Sequence, residues 1–240
     1  MRVATTIRMT VTIKSVWRWT LAAMAGTVAA YAGIAATSWW RYGSARAPAG
    51  ADADPLLDRF MPVFDVVERH HITVNAPASV TLQAAGEMDL EQSNLTKAIF
   101  RARALVLGGA PADPLRPRGL LAMTRSLGWG TLHEVSGREI VMGAVTQPWQ
   151  SDVVFRALPP DQFKTFNEPG FVKIVWTLRA DPVDDSKSVF RTETRAVATD
   201  AQARRKFRRY WALASPGIFV IRLLSLMPLK AEAERRVRAA

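Results

Sequence analysis

The chain of 240 residues contains no cysteine, which excludes disulfide bonds, thiolate metal ligands and a cysteine nucleophile. Its three histidines, His70, His71 and His133, are not at spacings typical of a metal site. We expect them at the surface or half-buried, and we expect no metal or other cofactor. The G-x-S-x-G, phosphate-loop and dinucleotide-binding motifs are also missing. The sequence therefore predicts no catalytic residue.

Acidic side chains are absent from the first fifty residues, which carry six lysines and arginines. Residues 201–240 carry ten basic and two acidic side chains, whereas residues 51–200 carry sixteen basic and nineteen acidic ones. The net charge of +11 therefore comes from the two ends of the chain, and the middle is slightly acidic. Because a nucleic-acid-binding domain normally carries positive charge on its folded body, this distribution argues against nucleic acid as a partner.

A charge-free run extends from Thr20 to Ser38, close to the length of about 20 residues that a helix needs to cross a bilayer. Tryptophan pairs bracket the run at a separation of about 30 Å of helix, and indole rings favour the two membrane interfaces. We therefore predict a transmembrane helix at residues 17–40, after a basic segment at residues 1–16. The predicted anchor residues are Trp17, Trp19, Trp39 and Trp40, with Arg18 and Arg41 beside them.

Two other interpretations of this run stay open. A basic start followed by an apolar stretch also fits a signal peptide, whose cleavage would give a secreted or periplasmic domain. Cleavage-like small residues occur at Gly33 and Ala35, and again at Ala45 and Ala47. An alanine-rich run also fits a core helix of a soluble protein. If the helix is an anchor, the basic excess before it predicts a single-pass protein with a cytoplasmic N-terminus and an outside domain.

Residues 41–56 are small, polar and proline-containing, which predicts a flexible tether, and we expect the folded domain at residues 57–240. In that domain, Val66–Val74 alternates like a strand, and Pro77 begins a short helix. A second amphipathic helix is predicted from Leu95 to Val106, and a loop is predicted at 109–119.

Antiparallel strands dominate the second half of the domain. A hairpin turn is predicted at Ser136-Gly137, and residues 171–196 form the clearest hairpin by their alternation. Glu193 stands between Arg191 and Arg195 in a charged ladder that we expect on an exposed strand face. One face of the sheet is therefore expected to be solvated, and the other must be covered.

The C-terminal segment predicts a long helix that covers this sheet, with Thr199 or Asp200 as its cap and Pro216 as a kink or interruption. Residues 217–227 are too few to span a bilayer and include Arg222, so we expect them to be buried or interfacial. Four basic residues fit either a solvated face or contact with anionic lipid or a partner. They are Arg204, Arg205, Arg208 and Arg209.

The order of a strand, two helices, antiparallel strands and a closing helix resembles the helix-grip fold of the START-like superfamily, also called SRPBCC. ITVNAPASVTLQA, residues 72–84, is similar to its first strand and the start of its first helix, and residues 171–196 are similar to its late hairpin. The resemblance covers about residues 57–228. It implies an α+β fold in which a curved antiparallel sheet wraps a long C-terminal helix, here preceded by the predicted transmembrane helix.

In that superfamily the sheet and helix enclose an apolar cavity, which implies a membrane-tethered protein that binds a hydrophobic small molecule or lipid. The cavity candidates are Ile174, Trp176, Phe190, Thr192, Thr194, Phe207 and Trp211. A cyclase- or dehydratase-like activity in the same cavity is an alternative that requires an inward carboxylate, histidine or tyrosine. Another alternative is a structural module that binds a membrane surface or partner through the basic helix. The sequence indicates no oligomeric state.

Overall fold

A computed structural model describes residues 13–89, 97–99, 101 and 117–239. The strands are β1 (Val66–Val74), β2 (Gly130–Val135), β3 (Glu139–Thr146), β4 (Phe155–Arg156), β5 (Val172–Asp184) and β6 (Lys187–Ala198). The helices are α1 (Ile13–Arg41), α2 (Pro55–Asp58), α3 (Ala78–Glu87), α4 (Leu120–Ser126), α5 (Pro160–Thr165) and α6 (Ala201–Ala239). The helix predicted at Leu95–Val106 and the loop predicted at 109–119 lie largely outside these residues.

The strands form one antiparallel sheet in the order β1-β6-β5-β3-β2, and β4 pairs with the end of β3. β5 and β6 form the hairpin that the alternation of residues 171–196 predicts. Gly137 closes the β2–β3 hairpin with φ of 66°, a conformation that favours glycine. The chain is an α+β protein with an antiparallel sheet and a long C-terminal helix, which confirms the coarse fold prediction.

The inner face of the sheet is the face that α3 and α6 cover. It consists of the even-numbered residues of β1, β3, β5 and β6, because alternate strand residues point to the same side. Leu226 and Leu229 of α6 pack there with Trp176 and Phe190 in one buried cluster. This cluster fixes the C-terminal half of α6 on the sheet.

Helix α6 continues through both Pro216 and Pro228, so the interruption predicted at Pro216 does not occur. Tertiary packing holds this turn, because Ser215 and Pro216 are both buried. The Leu213 carbonyl, one turn before Pro216, accepts a hydrogen bond from the Tyr31 hydroxyl of α1. As one uninterrupted helix, α6 is long and apolar enough to cross a membrane, as is α1.

The outer face of the sheet is covered by residues 50–64 and by α5, although the sequence predicts a solvated face here. The buried side chains of this layer are Leu57, Phe60, Met61, Phe64 and Phe163, which pack with Val141, Val145 and Val175 of the sheet. The charged ladder expected on an exposed strand is consequently buried, with Arg195 0% and Glu193 5% exposed. Charge complementarity explains the difference, because acids before β1 meet the ladder's arginines.

Residues 41–56 are attached to the sheet instead of extending as a free tether. The Gly43 amide donates to the Asp65 carbonyl at 2.8 Å, and Arg69 donates to the Arg46 carbonyl at 2.9 Å. Asp52 forms an ion pair with Arg191 of β6. The small, polar composition of residues 41–56 predicts a tether, but in the structure these residues lie against the strands of the sheet.

Helix α1 packs its C-terminal turns on the start of α6. The Ser38 and Ser215 hydroxyls are 2.7 Å apart, and the Arg208 guanidinium lies 4.1 Å from the centre of the Trp39 ring. Arg208 also donates to the Trp39 carbonyl at 3.0 Å. The N-terminal turns of α1 expose large apolar side chains such as Met24, and α1 is therefore fixed to the domain at one end only.

Candidate functional site

Strand β1 places two titratable side chains on the inner face. Val66 and Val74 are buried there, and Glu68 and His70 have the same parity, so they also point toward α6. The sequence interpretation put His70 at the surface or half-buried; the residue as a whole is half-buried, and its side chain is 8% exposed. An inward carboxylate and an inward histidine therefore lie between the sheet and the closing helix.

Arg222 reaches the same place from α6. It donates to the Thr192 hydroxyl at 3.0 Å and to the Thr194 hydroxyl. The Glu68 carboxylate interacts with it electrostatically, but Arg222 forms no ion pair with any carboxylate in the part of the chain that the structure describes. The guanidinium has five N–H donors, so these two hydroxyls leave part of its capacity and all of its charge without a direct anionic partner.

His70 is the second group with unused bonding capacity. Its Nε2 atom is buried and has no hydrogen-bond partner among the described residues. The nearest acidic oxygen, Oε2 of Glu68, is 3.7 Å away, beyond normal hydrogen-bond distance. Its ring lies 5.4 Å from the Phe219 ring of α6. Because buried polar atoms are normally paired, Nε2 requires an explanation.

Apolar side chains surround this polar cluster, which we define as Glu68, His70, Thr192, Thr194 and Arg222. Across the strands, Trp176 is the register partner of Thr194, and Trp129 meets Trp176 edge to face at 6.3 Å. Phe190 lies beside Thr192 on β6 and is buried. The cluster is therefore the polar part of an otherwise apolar interior, the composition typical of small-molecule sites.

All seven predicted cavity residues lie on the inner face or on the part of α6 that covers it. Thr192 and Thr194 contact Arg222, and Trp176 and Phe190 belong to the buried cluster with Leu229. The remaining three, Ile174, Phe207 and Trp211, pack in a separate cluster with Val66, Val172 and Ala196. The structure thus brings four candidates together. It places the other three in a second cluster, where the start of α6 packs on the sheet.

A cleft of about 570 Å³ opens between the end of α3 and α6. Its walls include Ala84, Met88, Ile221, Leu224, Ser225 and Leu229. Arg236 and Glu87 form an ion pair of 2.9 Å among the charged residues that line it. Ile221 and Ser225 stand beside Arg222 in the sequence of α6, but no residue of the polar cluster is among those that line the cleft.

The outer face also buries charge, but there the partners are carboxylates. Arg195 pairs with Glu193 at 2.6 Å and with Asp58, and Arg69 reaches Glu193 from the neighbouring strand at 2.8 Å. Burial first, and then the nearby Asp54 carboxylate, raises the pKa of Glu139 to about 8. Thr177 donates to Glu139 at 3.0 Å. These residues form an ion-paired network beneath the N-terminal segment, in which the buried Nη2 atom of Arg195 has no hydrogen-bond partner among the described residues.

Two of the four arginines proposed to meet a lipid surface bind α1 and its connection to the domain. Arg204 forms an ion pair with Asp65 at 2.8 Å, and Arg208 contacts Trp39. Arg205 and Arg209 are exposed. Among the predicted anchor residues, Trp17, Trp19 and Trp40 are exposed by more than 60%.

The sequence interpretation missed Glu68, His70 and Arg222. A usable signal was present for the first two, because their parity with the buried Val66 and Val74 places them inward. The sequence signal for Arg222 was weaker, because its position on the helix depends on α6 continuing through Pro216. Across the described ranges, no group of three His, Asp or Glu residues could hold a metal ion.

No protein-family model and no curated protein matches the sequence. Among solved structures, the chain is similar to the Zhui aromatase/cyclase from Streptomyces sp. R1128, with 18% identity over 72% of this chain and 96% of that chain and a TM-score of 0.23. It is also similar to the di-domain ARO/CYC BexL, with 15% identity over 70% of this chain and 46% of that one and a TM-score of 0.24. A protein from Thermobifida fusca matches with 13% identity, 63% and 92% coverage and a TM-score of 0.20.

All three TM-scores are below 0.5, so these likenesses carry no assignment of superfamily or role. The functional argument therefore rests on the residues of this chain.

Proposed function

We propose that the protein is a membrane-anchored, START-like domain that binds a hydrophobic small molecule or lipid between its sheet and α6. The observation that carries the proposal is the polar cluster within an apolar interior. A half-buried cation whose partners among the described residues are hydroxyls, beside a buried His70 Nε2 that has no partner there, is costly unless a ligand completes the cluster.

The chemistry of the cluster favours a ligand with a polar end that accepts hydrogen bonds. Arg222 has unused N–H donors, and an imidazole nitrogen such as His70 Nε2 can act as a hydrogen-bond donor. The apolar remainder of the ligand would lie along Trp176 and Phe190 and extend into the cleft beside Leu229. A carboxylate or a phosphate would suit the guanidinium best, because charge-assisted hydrogen bonds are the strong ones.

The apolar helix α1 supports the membrane part of the proposal. We propose that α1 stays attached and spans the membrane once, with the N-terminus in the cytoplasm and the domain outside. Its C-terminal turns contact α6 through Tyr31, Ser38 and Trp39, so the helix is integrated with the domain. Cleavage after Ala47 would remove all three contacts and cleavage after Ala35 would remove that of Tyr31, which favours an anchor over a signal peptide.

Photo-crosslinking of the full chain in phospholipid nanodiscs tests the ligand site. With a diazirine-bearing palmitic acid, we expect crosslinks at residues 84–88 and 221–229 in addition to those on α1, which lies in the lipid. Ser225→Trp should abolish the cleft crosslinks by filling the space, whereas Ser126→Trp on the exposed end of α4 should not. Excess unlabelled palmitate should compete at the cleft and not at α1. Crosslinks confined to α1, or cleft crosslinks that resist competition, would overturn the proposal.

A second candidate function is favoured by His70 and Glu68, the inward histidine and carboxylate that a cyclase- or dehydratase-like enzyme requires. Placed 3.7 Å apart, they could move a proton on a ligand held by Arg222. Incubation of the protein with a lipid extract, followed by mass spectrometry, tests this function. A product formed by the natural chain and lost in His70→Gln supports catalysis, and identical molecules with both proteins reject it.

A further inference from the structure

Helix α6 has two apolar faces, and the sheet uses only one of them. Its most apolar stretch has 28% of its residues buried. The side opposite the sheet carries a second set of large apolar side chains at helical spacing. We define this exposed stripe as Leu213, Leu223, Leu224 and Met227, of which Leu213 is 61% and Met227 is 63% exposed.

The exposed stripe lies on the helix that holds the membrane anchor. The Tyr31 hydroxyl of α1 donates a hydrogen bond to the carbonyl of Leu213, the first residue of the stripe. The Ser38–Ser215 hydrogen bond and the contact of Arg208 with Trp39 fix the two helices together over the neighbouring turns. An α1 helix in a bilayer therefore brings the start of the stripe to the membrane with it.

Charge also matches a membrane surface. Basic residues stand at both ends of the apolar stretch of α6, with Arg205 and Arg209 before it and Arg238 after it, all exposed. An interfacial helix commonly combines an apolar face with flanking cations that meet lipid headgroups. A soluble protein partner would not account for the position of the stripe beside a helix whose free end exposes Leu21, Met24 and Val28.

We infer that the exposed stripe of α6 is a second membrane-contacting surface, which seats the domain on the bilayer with α6 against the lipid. This inference rests on the proposed anchoring by α1. Leu224 belongs both to the stripe and to the wall of the cleft, and Pro228 lines the cleft one turn further on. In this orientation the cleft opens at the lipid surface, and a lipid enters it without crossing water.

The absence of cysteine makes a direct test simple, because each single-cysteine variant carries one label. Leu223→Cys and Met227→Cys are labelled with the environment-sensitive fluorophore NBD in full-length protein reconstituted into phosphatidylcholine–phosphatidylglycerol vesicles. Doxyl-labelled lipids then quench NBD that lies in the bilayer. We expect blue-shifted emission and at least a twofold loss of intensity with doxyl lipids at both positions.

Two control positions separate the possible failures. Val183→Cys, 57% exposed at the far end of β5, should be quenched by aqueous iodide and not by doxyl lipid. Leu21→Cys on α1 should be quenched by doxyl lipid. If Leu21 is quenched by lipid and the stripe by iodide, the anchoring stands and the inference fails. A stripe label shielded from both quenchers is covered by protein and also overturns it, and a Leu21 label quenched by iodide refutes the anchoring itself.

Discussion

The two faces of the sheet bury charge in opposite ways. On the outer face, Arg195 is enclosed by Glu193 and Asp58, and the N-terminal segment completes the pairing. On the inner face, Arg222 has two threonine hydroxyls, and Nε2 of His70 has no described partner. The same sheet thus carries an arginine with carboxylate partners on one side and, on the other, an arginine with no ion pair among the described residues.

The difference separates a structural role from a binding role. A buried ion pair with satisfied partners holds a segment in place, and losing one member leaves an uncompensated charge. Arg222, half-buried and without an anionic partner among the described residues, has no such structural explanation, and perturbed groups of this kind are candidates for functional sites. The outer network therefore explains how residues 41–64 are attached, and the inner cluster is the place where we propose that a ligand binds.

The largest effect is expected from breaking the outer network. Arg195→Ala leaves Glu193 buried without its closest cation, and we expect the free energy of unfolding to fall by about 3–5 kcal/mol. Urea unfolding of the full chain in detergent, followed by tryptophan fluorescence, measures the loss. Arg205→Ala at an exposed position is the control and should change stability by less than about 0.5 kcal/mol. Equal stability of the two variants would contradict a structural role for the network.

The outer network also predicts a pH dependence. The pKa of Glu139 is raised from 4.5 to about 8, so the folded state favours its protonated form. Its contribution to stability is full below pH 4.5 and is lost as the pH rises to about 8. We expect the urea midpoint to fall over this window and the fall to be smaller in Glu139→Gln. The exposed Glu168→Gln should keep the slope of the natural chain, and an unchanged slope in Glu139→Gln would refute the assignment.

Removing one threonine hydroxyl from each face of the sheet compares the two faces directly. Thr177→Val removes the donor to Glu139, and Thr192→Val removes one acceptor of Arg222. Each should cost about 1 kcal/mol of stability, because each loses one hydrogen bond to an ionisable group. Only Thr192→Val should also weaken the crosslinking of the diazirine fatty acid. Equal crosslinking in the two variants would remove the functional distinction between the faces.

The smallest effect on stability is expected from Arg222→Met. Methionine fills a similar volume, and the variant removes a half-buried cation that has no ion-pair partner in the part of the chain that the structure describes. We expect the free energy of unfolding to stay within about 1 kcal/mol of the natural value, in contrast to Arg195→Ala. Urea unfolding of the two variants under identical conditions measures the difference between their free energies of unfolding. A loss of several kcal/mol in Arg222→Met would show that the inner cluster is structural too.

Local patterns predicted much of the fold, and long-range pairing accounts for most of what they missed. The alternation of residues 171–196 predicts the β5–β6 hairpin, and the apolar stripe around Phe207 and Trp211 predicts a helix against the sheet. The covering of the outer face was not predictable from composition. It depends on acids such as Asp52 and Asp58 meeting arginines more than a hundred residues away.

The candidate site was predicted in part. The alternation on β5 and β6 indicates that Trp176, Thr192 and Thr194 face the helix. The polar groups opposite them come from β1 and α6. They meet because β1 pairs with β6 and α6 packs on the sheet, and neither contact can be predicted from local sequence patterns. The prediction that the ladder around Glu193 is exposed was wrong for the same reason. An alternating charged strand face predicts exposure unless the segment that covers it is known.

The most direct test of the account is native mass spectrometry of the full chain released from membranes, comparing the natural protein with Arg222→Met. The account predicts that the natural protein retains a hydrophobic molecule with an acidic end and that the folded Arg222→Met variant loses at least nine-tenths of it. Equal retention by the two proteins, or an empty natural protein that takes up no fatty acid, would contradict the claim that the inner cluster is a ligand site.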